Sequence, residues 1–350
     1  MQDGSAFASA TIDFRSDNTG RAAPELVAAL AAANEGTDAS YGGDQLTARV
    51  QQRFSELFET KVAVYPVATG TAANAIALAA MSPPWGAVYC APEAHVTQSE
   101  ANATGFFGGG AKLTAVAGAH GKLAAEALAA AIANAGTGTH KSQPAVVTMT
   151  QATDLGAVYT LEEVRGVAKM AKAHGLKVHM DGARFANALA RLGCSPAELT
   201  WKSGVDALSF GVTKNGGLLC DAIIVFTPDA APALPIHLRR AGQVWSKMRF
   251  AAAQLLAYVE DGLWLRMAAR ANAVAARIAA GLGELPRIER LAPVEANEVF
   301  LRLPGPVMDG LERDGIRFFR RPGGVARFVC RFDAGEDEAD ALLSSLRRHL

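Results

Sequence analysis

The sequence predicts an α/β protein: a large domain built on a mostly parallel sheet, followed by a smaller α+β domain. Strand-like and helix-like runs alternate through residue 226, and the pattern changes from about residue 241. Polar clusters fall just after several of the strand-like runs. Strands alternating with helices build a parallel sheet with helices on both faces. At 350 residues the chain also exceeds the length at which one hydrophobic core keeps growing. The expected division is 1–245 for the large domain and 246–350 for the small one.

The elements follow in order. Leu46, Val50, Phe54, Leu57 and Phe58 recur at helical spacing between residues 44 and 60. VAVYPVA (62–68) is strand-like and leads into TGTAANAIALAAM (69–81), a turn entering an alanine-rich helix. AVYCA (87–91) reads as a strand. GFFGGGAK (105–112) reads as a turn, because it lacks the spacing and the Ser/Thr of a nucleotide P-loop. LAAEALAAAIANA (123–135) is a helix and AVVTMT (145–150) a strand. LEEVRGVAKMAKAHG (161–175) is a helix ended by glycine, and LKVHM (176–180) a strand. ALSFG (207–211) and AIIVF (222–226) complete the alternation. A long helical region over 242–282 carries a break near Asp261-Gly262. After Pro286, EVFLRL (298–303) and ARFVCRF (326–332) read as strands, MDGLERDG (308–315) and EADALLSSLRRHL (338–350) as helices.

Composition narrows the function. Lys+Arg and Asp+Glu balance at 34 each, so no excess of positive charge for nucleic acid is expected. The short runs Arg320-Arg321 and Arg347-Arg348 read as solvated surface. The four cysteines lie far apart with no CxxC or Cys/His spacing, so neither a disulfide scaffold nor a metal site is expected. MQDGSAFASATIDF (1–14) lacks the charged and apolar regions of a signal peptide. No uninterrupted run of about 18 apolar residues suggests a membrane span. The expectation is a cytoplasmic protein.

In open α/β sheets, ligands bind outside the carboxyl ends of the strands. Thr69-Gly70-Thr71, His95, Gln151 to Asp154, Asp181 to Arg184 and Thr213-Lys214 all fall there. ATGTAAN (68–74) puts glycine and small residues at a helix N-terminus, whose free amides and dipole suit a phosphate. Asp181 ends a strand in HMDGAR (179–184), where a buried aspartate needs a cationic partner. Lys214, in SFGVTKNGG (209–217), follows 33 residues later, room for one helix and one strand. Singly, these are a helix cap, a structural Asp–Arg pair and a solvated loop lysine. Together they meet the needs of pyridoxal phosphate (PLP). Lysine forms the Schiff base, the carboxylate keeps the pyridine nitrogen protonated, and backbone donors hold the phosphate.

Longer motifs carry a resemblance. They are SDN (16–18), YGGDQLTAR (41–49), GTAAN (70–74), AHVTQSE (94–100), TQATDLGAVY (150–159) and HMDGARFANA (179–188). LGCSPAELTWKSGVDALSFGVTKNG (192–216), AGQVWSKMRF (241–250), PVEANEVF (293–300) and GGVARFVCRFD (323–333) continue the series. In order and spacing the chain resembles the low-specificity L-threonine aldolases, which belong to fold type I of PLP enzymes, the aspartate aminotransferase superfamily. The resemblance implies Lys214 as the Schiff-base lysine, Asp181 as partner of the pyridine nitrogen, and His95 as the ring stacked on the cofactor. It implies Gly70 and Thr71 as phosphate donors. Ser16, Arg184 and Arg327 are implied to hold the substrate carboxylate, matching the planar fit of guanidinium to carboxylate. Arg184 is counted among the cofactor contacts too. His140, in GTHKSQP (138–144), resembles a second active-site histidine. Lys247 and Arg249 are implied to reach a neighbouring subunit's phosphate, in a homodimer or homotetramer with active sites at the interface. Of the other histidines, His120, His174, His237 and His349 are expected on the surface and His179 in the core.

The chain departs from the family pattern at Gly43, where an acidic residue is usual, and at Arg331, where a small or neutral one is. The implied reaction is retro-aldol cleavage of a β-hydroxy-α-amino acid to glycine and an aldehyde, with His95, His140 or a water they hold as the base. β-Elimination and transamination on the same fold are the nearest alternatives. A non-catalytic PLP-fold protein is a third, against which the intact Lys214, Asp181 and His95 argue. A nicotinamide oxidoreductase lacks its GxGxxG after any strand.

Overall fold

A computed structural model describes residues 11–136, 138–285 and 288–350. Most of the N-terminal stretch 1–14 discussed above, and Pro286, lie outside the described residues. Strand β1 (Ile12–Asp13) pairs in parallel with β11 (Ile316–Arg317). The large sheet has seven strands: β2 (Ala63–Val67), β3 (Gly86–Cys90), β4 (Lys112–Ala115), β5 (Gln143–Thr150), β6 (Lys177–Gly182), β7 (Ala207–Phe210) and β8 (Asp221–Val225). Their order across the sheet is β2-β8-β7-β6-β5-β3-β4, and β8 alone runs antiparallel to its neighbours.

Alternation along these strands feeds two cores, because successive side chains point to opposite faces. Tyr89, Val147, Leu208 and Ile224 pack on one face with the helices Gln45–Leu57, Leu161–Ala173 and Arg249–Val259. Val88, Val146, Ala207 and Ile223 pack on the other with the helix Gly70–Met81. The inner strands are therefore buried on both sides, and their apolar runs are nearly continuous. The ends of the helices follow local chemistry: Asp44 and Thr69 cap theirs, and Thr160 with Glu163 forms a capping box.

The expected break in the long helical region falls at Asp261 (φ 47°) and Gly262 (φ 67°), between the helices Arg249–Val259 and Leu263–Gly281. The second of these helices joins the two cores. Trp264, Met267 and Ala268 belong to the large one; Val274, Ala275 and Ile278 pack in the small one with Phe14. The small sheet contains β9 (Glu289–Arg290), β10 (Glu298–Arg302), β12 (Phe319–Arg321) and β13 (Val325–Val329), all antiparallel, with helices Gly305–Arg313 and Glu336–His349 beside it. Arg331 ties these parts together. It pairs with Asp333 at 3.1 Å and Glu338 at 3.0 Å, and donates to the Asp13 carbonyl. Several elements go beyond the sequence reading, among them the helices Pro24–Ala33 and Leu234–Arg240 and one strand of the large sheet. After the GFFGGG stretch, whose first part is the helix Ala103–Phe107, Lys112–Ala115 forms an edge strand with no fully buried residue.

Behind the strand ends, Phe54, Phe185, Phe210, Tyr258 and Trp264 pack together, mostly edge-to-face or tilted, with ring centroids 5.4–6.3 Å apart. Trp264 is only 2% exposed and touches three of these rings. Trp264→Ala is expected to cost about 3–5 kcal/mol of stability, measured by urea unfolding. Among the described residues no helix is long and apolar enough to cross a membrane, and no group of three or more His, Cys, Asp or Glu could hold a metal ion.

Candidate active site

The crevice lies where the parallel strands end. β2 runs into the helix Gly70–Met81, whose cap Thr69 takes the Ala72 amide on its hydroxyl (3.1 Å) and the Ala73 amide on its carbonyl (3.0 Å). The first-turn amides of Gly70 and Thr71 have no acceptor within the helix. They sit at the wall of a cavity of about 550 Å³ that Asp181, His95, Lys214 and Asp221 also line. A helix of 12 residues brings its positive end to the same wall.

Lys214 stands on the short turn Thr213–Asn215 after β7, and the turn is pinned on several sides. Asp221, at the start of β8, accepts from the amides of Val212 and Thr213 at 2.7 and 3.0 Å. Asn215 donates its side-chain amide to the Tyr258 hydroxyl (2.8 Å) and the Trp264 carbonyl (2.9 Å). Gly216 then turns at φ 96°, where a Cβ would come within 3.1 Å of Ala23 and 3.3 Å of Met267 and Phe332. The lysine's anchor is thus rigid, and its side chain lines the cavity.

Asp181 is next to last in β6, in register between Thr150 of β5 and Ser209 of β7. It is 2% exposed and accepts from the Asn74 side chain at 2.9 Å and the Ala183 amide at 3.0 Å. His95 opens the short helix His95–Gln98; its amide donates to Asp154 at 3.0 Å, and its Nδ1 meets the buried Glu100 carboxylate at 2.7 Å. The hydrogen bond to Glu100, aided by the Asp181 charge and opposed by burial and Lys214, raises the His95 pKa above its usual value. His179, in contrast, is a core residue: it bonds Thr148 at 2.8 Å and Ser209 at 3.0 Å, and burial pushes its pKa down to about 4.

A second cavity, of about 650 Å³, shares Asn18, His95, Ser99 and Lys214 with the first and is lined by Ser16, Arg184, Arg321 and Arg327. Arg184 is buried and holds Asp17 through Nε (2.8 Å) and Nη2 (3.2 Å), with Glu298 3.2 Å from Nη1. Burial works against the Asp17 charge, but the Arg184 and Lys214 cations outweigh it and hold that carboxyl below its usual range. Arg327 donates to the Arg15 carbonyl at 3.1 Å and lies over the Phe319 ring. Its Nε is buried without a hydrogen-bond partner among the described residues. Such an unpaired donor beside a cavity suits an incoming carboxylate.

The fold thus brings together Lys214, Asp181, His95, Gly70, Thr71, Ser16, Arg184 and Arg327. It does not bring His140, Lys247 or Arg249 to either cavity within one chain. His140 is exposed in the turn before β5, Lys247 is exposed, and Arg249 meets the Gly36 carbonyl at 3.5 Å and lies over the Phe250 ring. Gly43 is exposed in a turn, its amide on the Ser40 carbonyl, and lines neither cavity. Asn74, Glu100, Asp17, Asp221 and Glu298 were missed as supports of the site. For Glu100 the signal was present: an acid five residues after the histidine in AHVTQSE.

The residues present fit PLP. Unclaimed helix-terminal amides suit its phosphate, Asp181 offers a fixed carboxylate, and Lys214 supplies an amine in the same cavity. Solved structures share the whole architecture. A threonine aldolase from Leishmania major superposes with a TM-score of 0.90 at 25% identity, covering 96% of this chain and 99% of that one. An aspartate aminotransferase from Rhodobacter sphaeroides superposes at 0.72 with 14% identity, over 99% and 93%, so the chain has the aspartate aminotransferase fold, fold type I. The family model described as Beta-eliminating lyase matches residues 13–304. A low specificity L-threonine aldolase of Pseudomonas aeruginosa is 43% identical over 96% of this chain and 97% of its own length. One from another Pseudomonas is 42% identical over 95% and 96%. The chain belongs to the Beta-eliminating lyase family, in its low-specificity L-threonine aldolase branch.

Proposed function

We propose that this chain is a PLP-dependent lyase that cleaves L-threonine, L-allo-threonine and related β-hydroxy-α-amino acids such as phenylserine, reversibly, to glycine and an aldehyde. The observation that carries the reading is the meeting of Lys214, Asp181 and His95 where a helix-terminal cavity opens into an arginine-lined one. Lys214 would carry the cofactor, Asp181 pair with its ring nitrogen, His95 cover its ring, and the amides of Gly70 and Thr71 hold its phosphate. Bound there, the cofactor supplies an electron sink for a bond broken at the substrate Cα.

The chain's own residues do the rest. Arg327, with its unpaired Nε, and Ser16 hold the substrate carboxylate and so fix the orientation of Cα. Arg184 has five donors; Nε and Nη2 hold Asp17 and Nη1 faces Glu298, so the N–H groups that remain complete the clamp. His95 has Nδ1 on Glu100, which leaves Nε2 to take the β-hydroxyl proton as the Cα–Cβ bond breaks. The aldehyde leaves, and a proton delivered to Cα yields glycine.

Lys247 and Arg249, remote from their own cavities, and the exposed Leu218 and Leu219 on the rim of the first cavity support assembly as a homodimer or homotetramer with shared sites. Four unpaired cysteines agree with a cytoplasmic setting. The test is product analysis of PLP-loaded protein given L-threonine. Glycine and acetaldehyde in equal amounts are expected. A 2-oxo acid with ammonia would instead make it an eliminating enzyme.

A further inference from the structure

Two buried side chains, Asn74 at the wall of the first cavity and Glu100 beside it, have no part in the catalytic and binding roles assigned above. Asn74 points from the middle of the helix Gly70–Met81 and is 2% exposed. Its single Nδ2 donates to both Glu100 Oε1 and Asp181 Oδ2, each at 2.9 Å. The same Glu100 Oε1 takes His95 Nδ1 at 2.7 Å, and the Glu100 side chain has no exposure to solvent. A buried carboxylate and a buried amide in an apolar helix are costly unless their bonds matter. Here they join the histidine and the aspartate that lie on two different elements of the crevice.

We propose that Glu100 and Asn74 are a positioning pair: Glu100 holds the His95 proton on Nδ1 and sets its ring, while Asn74 locks Glu100 to Asp181. The inference rests on the proposed lyase reading, in which His95 Nε2 is the base and Asp181 meets the cofactor. The tautomer of a histidine follows from the partner of its other nitrogen, and a carboxylate partner raises its basicity. The charges facing His95 are Glu100 on its own segment, Asp181 from β6, Lys214 from the turn after β7, and Asp154, which takes its amide. Glu100 makes the closest side-chain contact of these. Its own carboxyl is pushed up by burial, with the bonds to His95 and Asn74 opposing that push.

The experiment uses PLP-loaded wild type, Glu100→Gln and Glu100→Asp, with kcat/KM for L-threonine followed against pH. A second, activity-free readout is the dissociation constant for PLP in Asn74→Ala. Glu100→Gln keeps the shape of the side chain and removes its charge, so the acid limb of kcat/KM is expected to move to lower pH. Its kcat is expected to fall about 10–100-fold, the scale of losing an outer partner of a working histidine, with Glu100→Asp restoring part of it. Asn74→Ala is expected to bind PLP several-fold more weakly, because Asp181 loses a donor. A Glu100→Gln profile that superimposes on wild type, with PLP binding in Asn74→Ala unchanged, overturns the pairing. Wild type that fails to cleave threonine overturns the lyase reading instead, and the PLP affinities still judge Asn74.

Discussion

Lys214→Ala is expected to abolish aldehyde release, with kcat down by more than about 10⁴-fold, the scale on which enzymes lose a covalent catalytic group. The fold should survive, because the turn is held by Asp221 and Asn215 rather than by the lysine itself. Circular dichroism of the variant should match wild type. Lys214→Arg is expected to be equally inactive: a guanidinium is never deprotonated in proteins and cannot act as the amine. Activity of either variant within tenfold of wild type would remove Lys214 from the chemistry.

The second large effect is expected at Asp181. Asp181→Ala removes the carboxylate that we propose stabilises charge in the cofactor ring. A loss on the order of 10²–10³ in kcat is expected, as for other preorganised electrostatic groups. It also strands the Asn74 amide and the Ala183 N–H, two buried donors 2.9 and 3.0 Å from its oxygens. Stability should therefore fall too, by about 1–3 kcal/mol per stranded donor. Asp181→Asn keeps the shape but only one acceptor oxygen, so it strands one of the two donors rather than both: a smaller loss of stability than in Asp181→Ala is expected, with kcat equally low. Steady-state kinetics and urea unfolding of both variants read the two quantities.

These two positions were legible because they carry local signals. A strand-end aspartate and a lysine after a strand, before paired glycines, stand out in one dimension, and the sheet topology places both on one edge of the crevice. The break at Asp261-Gly262 was readable for the same reason: two successive positive φ angles fall on an acid and a glycine amid helix-forming residues. What stayed hidden are partners set by tertiary packing. Asn74 sits in an alanine-rich helix that gives no sign of Asp181, 107 residues away, and Asp17 meets Arg184 across 167 residues. The sequence assigns Arg184 to substrate and cofactor, but gives no sign of Asp17 and Glu298, which surround it. The strand Lys112–Ala115 was lost because an edge strand of four half-exposed residues has no apolar run to mark it.

The central claim is that Lys214 holds the cofactor at the junction of the two cavities. It is tested most directly by reducing the PLP-loaded protein with borohydride and mapping the product by peptide mass spectrometry. The expected result is one pyridoxyl group per chain, on Lys214, and none in Lys214→Ala. A group fixed on another lysine, or none fixed while PLP is bound, would contradict it.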